Sequence, residues 1–515
     1  MPERILEKLK KSINPQIKIC FIFAFVIGII THLYKITNWL PNWDSLVFRY
    51  DGQNMIALGR WFLPVVCAPS SFYDLPLIAG LIAIIFHALG ASCIVKMFGV
   101  KKNITAALIG SLVASFPAVT SVMMYNYVAD GYAIAFFLSC LAAMLMTKDK
   151  PSYIIPAILI ALSSGIYQAY ITVTITLLIL YLIFEILNNK IKLKDTYIKT
   201  LKLALCGAMG MGLYYFLFTI ILKITKTEIL AYQGFDNAVS LSGIDIPGAL
   251  YVIKHTLTDY FFDFSNGFNT FAIINILIFS ATVILYVVNI IKNKFKVTGM
   301  LSLILYVILL PIGVCVLAFI NSSIDYHNLM KMGFLVFYLF MILQYENVKF
   351  KNMKFVSVKS WVILILMTAL IFNHIIIANV SYHKLNMAYE KSYGTLIRLA
   401  DRIEQTEGNE NCDSILIIGH FPDSEAYSVN LPPDMTGATD GSILRADDEI
   451  VGQSVLCSAL NDYCGKDYKF ISGKEKEEII KNNNLENLQN WPKGNSVSVI
   501  DNVIIIKLSD KEQNL

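Results

Sequence analysis

The chain has 515 residues, of which 56% are hydrophobic and only 16% charged, with a mean hydropathy of +0.58. This balance excludes an ordinary soluble globular protein. The formal net charge of +4 is small, and nucleic acid is not an expected partner.

The first eighteen residues are basic and lead into an apolar run that ends at "THLYKITNW" with no convincing cleavage site, so a retained first helix with a cytoplasmic amino terminus is expected. Apolar runs bounded by charge then predict spanning helices near 17–36, 74–95, 104–124, 128–147, 152–168, 170–187, 200–222, 268–291, 299–320, 329–345 and 361–380. The pair between Lys150 and Asn188 is most simply a hairpin with its tip at Ser164–Tyr170. Lys and Arg concentrate in alternate loops, about 22 in one set and about seven in the other before Val380, which puts the basic loops in the cytoplasm. The first outer loop is then 37–73 and the second large one 223–267. Midplane ionisable residues are nearly absent, His87 being the main one, which argues against an ion-coupled carrier. No Walker loop, GxGxxG turn, HExxH helix or nucleophile elbow stands in the right context, and no internal repeat is visible.

From about Ser381 the composition changes. Acids, about 22, outnumber Lys plus Arg, about 13, and no run is long enough to span. An amphipathic helix precedes the strand-like "DSILIIG", and "SVSVIDNVIIIKL" alternates like a closing hairpin. A soluble α/β domain over 381–515 on the outer face is expected. Of the nine cysteines, six lie in or beside apolar segments and behave as small hydrophobes. Cys457 and Cys464 would suit a disulfide in an oxidising compartment, although sequence does not show that the sulfurs meet.

The outer loops are where chemistry is expected, since loops carry it more often than the spans that position them. The first holds "NWDSLVFRYDGQNMIALGRW". One reading is an aromatic belt of Trp39, Trp43 and Trp61 with solvated charges. The other is that Asp44, held near an apolar surface, acts as a general base while an arginine limits the rise of its pKa. A helix over Ser45–Gly59 would put Asp44 and Asp51 on one face, two turns apart. Arg60 suits either a lipid phosphate at the interface or a snorkelling side chain. Asp130, in "YNYVADGY" beside Tyr127, is either a helix cap or a functional acid. Tyr167 and Gln168 in "GIYQAY" offer sugar contacts or interface anchors. Asp325, His327 and Lys331 gather in "NSSIDYHNLMK" without a firm metal-ligand spacing.

The segments "NWDSL", "LGRWFLP", "YVADGYAIAFFLS", "SSGIYQAY" and "SILIIGHFP" resemble the type II Gtr glucosyltransferases of bacterial O-antigen modification, and the overall layout resembles the GT-C membrane glycosyltransferases. The chain departs from that pattern at "YHNLMK", where an arginine often stands, and has one acid at Asp44 where a pair is common. The resemblance implies an α-helical polytopic fold of about 11 transmembrane helices with a small extracytoplasmic domain, in the inner membrane. It implies transfer of glucose or a related hexose from undecaprenyl-phosphate sugar to a surface polysaccharide, working with a donor-making glycosyltransferase and a flippase. On this reading Asp44 is the preferred base, with Asp51 or Asp130 orienting the acceptor. Arg60, with Arg49 or Lys331, meets the donor phosphate. Trp43, Trp61, Tyr127, Tyr167, Gln168, Asp325 and His327 line the sugar or acceptor side. No cofactor is required, and a divalent cation is allowed but not demanded. The rival readings are another polyprenyl-linked polysaccharide enzyme, a lipid-linked sugar flippase, and a membrane anchor whose function lies in the acidic tail.

Overall fold

The computed structural model describes residues 14–42, 44–45, 55–70, 74–148, 151–188, 193–230, 245–265, 269–322, 324–348, 352–421, 449–483, 485 and 487–510. These fall into two compact units, one within 1–38 and 50–379 and the other within 39–49 and 380–515.

The first unit is helical. Its elements are α1 (Pro15–Thr37), α2 (Leu63–Cys67), α3 (Pro76–Phe98), α4 (Asn103–Ser115), α5 (Pro117–Met124), α6 (Ala129–Met146), α7 (Ile154–Ile166), α8 (Ile171–Leu187), α9 (Leu193–Thr225), α10 (Ile246–Phe262), α11 (Thr270–Asn293), α12 (Val297–Val314), α13 (Leu335–Asn347) and α14 (Met353–Glu404). Among the described residues ten helical stretches are long and apolar enough to cross a membrane, and the shorter apolar α7 accompanies them. Each overlaps an apolar run of the sequence, but α7, where a span is expected at 152–168, has only 13 residues and is short of a span's length.

The predicted span at 104–124 is interrupted. Phe116 is extended (φ −62°, ψ 137°) and Pro117 opens α5, as expected for a residue forced out of the helical region by the proline after it. The break frees the Ala114 carbonyl, which His32 Nε2 meets from α1 at 2.9 Å. His87 is therefore not the main ionisable group inside the spans: His32 and His374 are buried there too. The packing of α1 on α4 is close because Gly110 has no side chain. A Cβ there would lie 2.2 Å from the Cys20 carbonyl oxygen.

The two units divide between Asn379 and Val380, beside the change of composition near Ser381, and the 52-residue α14 includes that point. Its carboxy-terminal part lies against a four-stranded sheet of order β2-β1-β4-β3, formed by β1 (Ser414–Ile418), β2 (Lys469–Ile471), β3 (Val497–Ile500) and β4 (Val503–Lys507). β1 is parallel to both β2 and β4, while β3 and β4 form an antiparallel hairpin. The hairpin turn is Asp501-Asn502, both at positive φ (49° and 59°), which matches the right-handed twist of the flanking strands. Alternation sorts the sheet into two faces. Ile415, Ile417, Ile504 and Ile506 pack with Leu396, Leu399 and Ile403 of α14, whereas Leu416, Ile471 and Ile505 pack with Leu488. Burial on both sides explains why "SILII" reads as an unbroken apolar run.

The remaining helices are α15 (Glu449–Cys464) and α16 (Gly473–Asn482). Cys457 and Cys464 both lie on α15, seven residues and about 10.5 Å apart along its axis, beyond the roughly 7 Å that a disulfide spans. The disulfide expectation is corrected: none of the nine cysteines is bridged.

Candidate active site

The strongest convergence of polar groups in the first unit is at the loop around α2. Met55–Gly59 form turns, so the helix expected through Gly59 does not extend there. Gly59 sits at φ +76°, a conformation that suits glycine. The backbone of this loop is held by side chains of distant helices. Gln168 Nε2 donates to the Leu58 carbonyl at 2.8 Å and to the Tyr214 hydroxyl at 3.0 Å, and that hydroxyl donates to the Gly59 carbonyl at 3.1 Å. The Phe62 N–H donates to the Gly165 carbonyl at 2.8 Å.

These ties fix Arg60. Its Nη1 donates to the Tyr132 hydroxyl at 3.1 Å and its guanidinium lies 4.8 Å from the centre of the Tyr167 ring. Tyr132 and Tyr167 are themselves stacked at 4.7 Å, with Tyr170 edge-on to both. A guanidinium on an aromatic face gains cation–π attraction and keeps the rest of its donor fork oriented. Trp61, the neighbour of Arg60, is 8% exposed and packs with Ala161, Tyr214 and Phe218. It belongs to this core rather than to a headgroup-facing belt, and it fits because residue 165 is glycine.

At the other end of α2, Asp130 is 1% exposed. Ser70 Oγ donates a short hydrogen bond to its Oδ2, and the Gly131 N–H donates to its Oδ1 at 2.9 Å. Asp130 stands in the first turn of α6, where a carboxylate suits the helix dipole, but the N-cap itself is Val128. The sequence reading of Asp130 as a cap residue is corrected to that extent. Its bonds join α2's trailing loop to α6, and Gly131 admits Cys67 against the helix. Nearby, the sequence reading missed a buried pair of opposite charges. Lys35, in the last turn of α1, and Asp74, just before α3, are 1% and 3% exposed and act on each other electrostatically.

The third sequence cluster lies across a 3-10 stretch, Asn328–Phe334, that precedes α13. Lys331 Nζ stands 5.3 Å from the Tyr260 ring centre of α10, within reach of the Asp325 and Asp259 charges. Burial holds the Tyr260 phenol well above its usual range. His327 meets the Tyr125 ring at 6.1 Å, and Tyr125 meets Tyr127 at 6.4 Å. At the start of α10, the Gly248 N–H and the Ser322 hydroxyl hold the Asp245 carboxyl below the usual carboxylate range.

Asp44 belongs to the second unit. It is partly buried in a helical turn where Asn42 Oδ1 accepts the Ser45 N–H at 2.9 Å. Trp43, Arg49 and Asp51 lie outside the described residues. Among the described residues no group of three or more His, Cys, Asp or Glu side chains is placed to hold a metal ion.

The structure thus gathers Arg60, Trp61, Tyr167 and Gln168 from the expected set and adds Tyr132, Tyr170, Tyr214 and Gly165, while Ser70 holds Asp130 at the other end of α2. A family model described as Glucosyl transferase GtrII matches residues 33–344. The chain belongs to this family. The matched region of this GtrII family member is more than half of its length and contains both the Arg60 cluster and the Asp130 anchor. No curated protein and no solved structure matches the chain. Membership identifies a membrane glycosyltransferase.

Proposed function

We propose that the protein transfers glucose, or a related hexose, from undecaprenyl-phosphate sugar to a surface polysaccharide such as O-antigen. On this reading the reaction occurs on the periplasmic face of a bacterial inner membrane, with the amino terminus cytoplasmic and the carboxy-terminal unit periplasmic. The single observation that supports it most is Arg60. It is a guanidinium held on stacked tyrosines beside the ends of apolar spans, within the region matched by a glucosyl transferase family. A polyprenyl donor keeps its tail in the bilayer and presents its phosphate at that depth.

In the proposed reaction the acceptor hydroxyl attacks the anomeric carbon and gives its proton to a carboxylate. The bond from that carbon to the phosphate oxygen breaks, and the departing lipid phosphate keeps the electron pair. Arg60 stabilises that charge, help of a kind often worth several kcal/mol. Lys331 and Arg49 are further candidates for the phosphate. Asp44 is assigned the proton from its place in the sequence. Asp51 is the alternative base, and Asp130, whose two oxygens are engaged by Ser70 and Gly131, positions the loop. Trp43, Tyr127, Tyr167, Gln168, Asp325 and His327 remain candidates for the sugar and acceptor. No cofactor is needed for this chemistry, although a divalent ion at the phosphate is compatible with it. A separate glycosyltransferase would make the donor and a flippase would deliver it.

The test is transfer of radiolabel from polyprenyl-phosphate glucose to polysaccharide by the purified protein, compared with Asp44→Asn and Arg60→Lys. Both variants should be impaired, the second because an ammonium does not reproduce a stacked fork. Wild-type rates in Asp44→Asn would remove it as base. Failure of the wild type with every polyprenyl-phosphate hexose would sink the donor assignment.

A further inference from the structure

Four aromatic side chains form a row in the second unit. Trp39 is edge-on to Tyr389 at 5.3 Å, Tyr389 is stacked with Tyr393 at 6.3 Å, and Tyr393 meets Tyr463 in a T at 5.3 Å. They come from three places in the chain. Trp39 stands five residues before Asp44, Tyr389 and Tyr393 are one turn apart on α14, and Tyr463 lies near the end of α15. Trp39 and Tyr389 are partly buried, whereas Tyr393 and Tyr463 are each 40% exposed.

A second line of residues runs alongside Tyr389 and Tyr393 on the surface of α14: Asn386, Glu390 and Gly394, each one turn from the next. Asn386 Nδ2 donates to Glu390 Oε1 at 2.8 Å, a pair that keeps further acceptor capacity on both side chains. Gly394 is exposed inside the helix, and nothing lies within 4 Å of where its Cβ would stand. Neither a close contact nor its helical backbone calls for glycine there, and glycine weakens a helix relative to alanine. Its effect is to open a gap in the surface beside the tyrosines. Acids outnumber Lys plus Arg in 381–515, about 22 to about 13, which is the wrong sign for an anionic lipid surface or an anionic polymer.

We propose that this aromatic row, with Asn386 and Glu390 alongside it, is a binding track for an uncharged polysaccharide. A sugar ring carries C–H groups on its faces and hydroxyls around its rim. A chain of such rings lies on successive aromatic faces while its rim hydroxyls meet the amide and the carboxylate. That the polysaccharide is the acceptor rests on the reaction proposed above, in which Asp44, close to Trp39 in the chain, takes the proton.

The test is fluorescence anisotropy of end-labelled polysaccharide, an uncharged O-antigen chain freed of its lipid or dextran, with the full-length protein in neutral detergent and no donor. The wild type should bind at least one of them. Tyr393→Ala and Tyr463→Ala should each weaken binding about fivefold, Tyr393→Phe should keep it, and Tyr215→Ala, exposed on α9, should leave it unchanged. Gly394→Leu separates recognition from folding. Leucine favours the helix and meets open space, so this variant should unfold no earlier than the wild type and still bind less tightly. Wild-type affinity in both Tyr393→Ala and Gly394→Leu overturns the proposal, as does a wild type that binds neither polysaccharide. A change of oligomeric state in Gly394→Leu with polysaccharide affinity intact would mark a contact between copies and overturn the glycan assignment. The transfer assay keeps the two readings apart. Hexose transfer by a protein whose affinity ignores the row removes the track alone, whereas row-dependent affinity in a protein that transfers from no polyprenyl-phosphate hexose keeps the track and removes the reaction.

Discussion

Gly165→Ala probes the packing that fixes the Arg60 loop. An added Cβ would lie 2.6 Å from Trp61 Cε2, 2.7 Å from Cζ2 and 3.1 Å from Cδ2. These atoms belong to a rigid ring, backed by Ala161, Tyr214 and Phe218, so no flexible side-chain end can swing aside. Overpacking of this kind costs about 1–3 kcal/mol. Against it stands the gain of alanine over glycine near the end of α7, at most about 1 kcal/mol. Because the ring cannot swing aside, the cost lies in the upper half of that range, about 2–3 kcal/mol, and subtracting the full alanine gain leaves a net loss of about 1–2 kcal/mol, with a drop in transfer rate because Arg60 follows the displaced loop. Thermal unfolding in detergent and the radiolabel assay read the two effects. Trp61→Leu should relieve the clash, so the double variant should lose less than the sum of the single ones, with a coupling of about 0.5–3 kcal/mol. A Gly165→Ala protein as stable as the wild type, or more so, would refute the locked contact.

Tyr132→Phe removes the hydroxyl that receives Arg60 Nη1 and keeps the ring beside Tyr167. It should raise the donor KM about fivefold with little change in kcat, corresponding to about 1 kcal/mol, as steady-state kinetics at varied donor will show. Asp130→Ala strips the acceptor from Ser70 and Gly131 in a buried place and should cost about 1–3 kcal/mol in unfolding stability. Asp130→Asn, which keeps one acceptor oxygen, should cost less. Titration of the denatured, unreduced protein should find nine reactive thiols, and seven would restore the Cys457–Cys464 bridge. Burial pushes the Cys457 thiol up to about 11. The fold therefore holds its proton more tightly than the unfolded chain does, and this contribution to stability is lost as pH rises from about 9 to 11. The unfolding midpoint should fall less over that range in Cys457→Ala.

Most of the helical architecture was legible because length and apolarity alone define a span. Its interruptions followed local backbone rules that hydropathy overrides: Pro117 announced the break at Phe116, yet the run 104–124 is apolar throughout. At α14 the change from apolar to polar side chains lies beside the division of the two units between Asn379 and Val380, while backbone hydrogen bonding, indifferent to that change, carries the helix through it. Arg60, Tyr167 and Gln168 were recognisable as polar groups in loops. Tyr214 was not, because it lies within an apolar helix, and nothing in its neighbours says that its hydroxyl meets Gly59. Gly165 carried a signal in its bare position within "SSGIYQAY", but its partner Trp61 is remote in sequence. Cys457 and Cys464 misled because seven residues is a plausible loop spacing and a prohibitive helical one.

The clamping of the Arg60 loop by Gln168, Tyr214 and Gly165 has an evolutionary corollary. The backbone from Leu58 to Phe62 takes its position from α7, α9 and the turn after α7, so it is inherited together with those elements. Substitutions at Gln168, Tyr214 or Gly165 would displace the guanidinium while leaving its own loop untouched in sequence. Positions more than a hundred residues apart are thereby bound to change together, and a chimera that exchanges the Arg60 loop keeps its charge in place when α7 and α9 are exchanged with it.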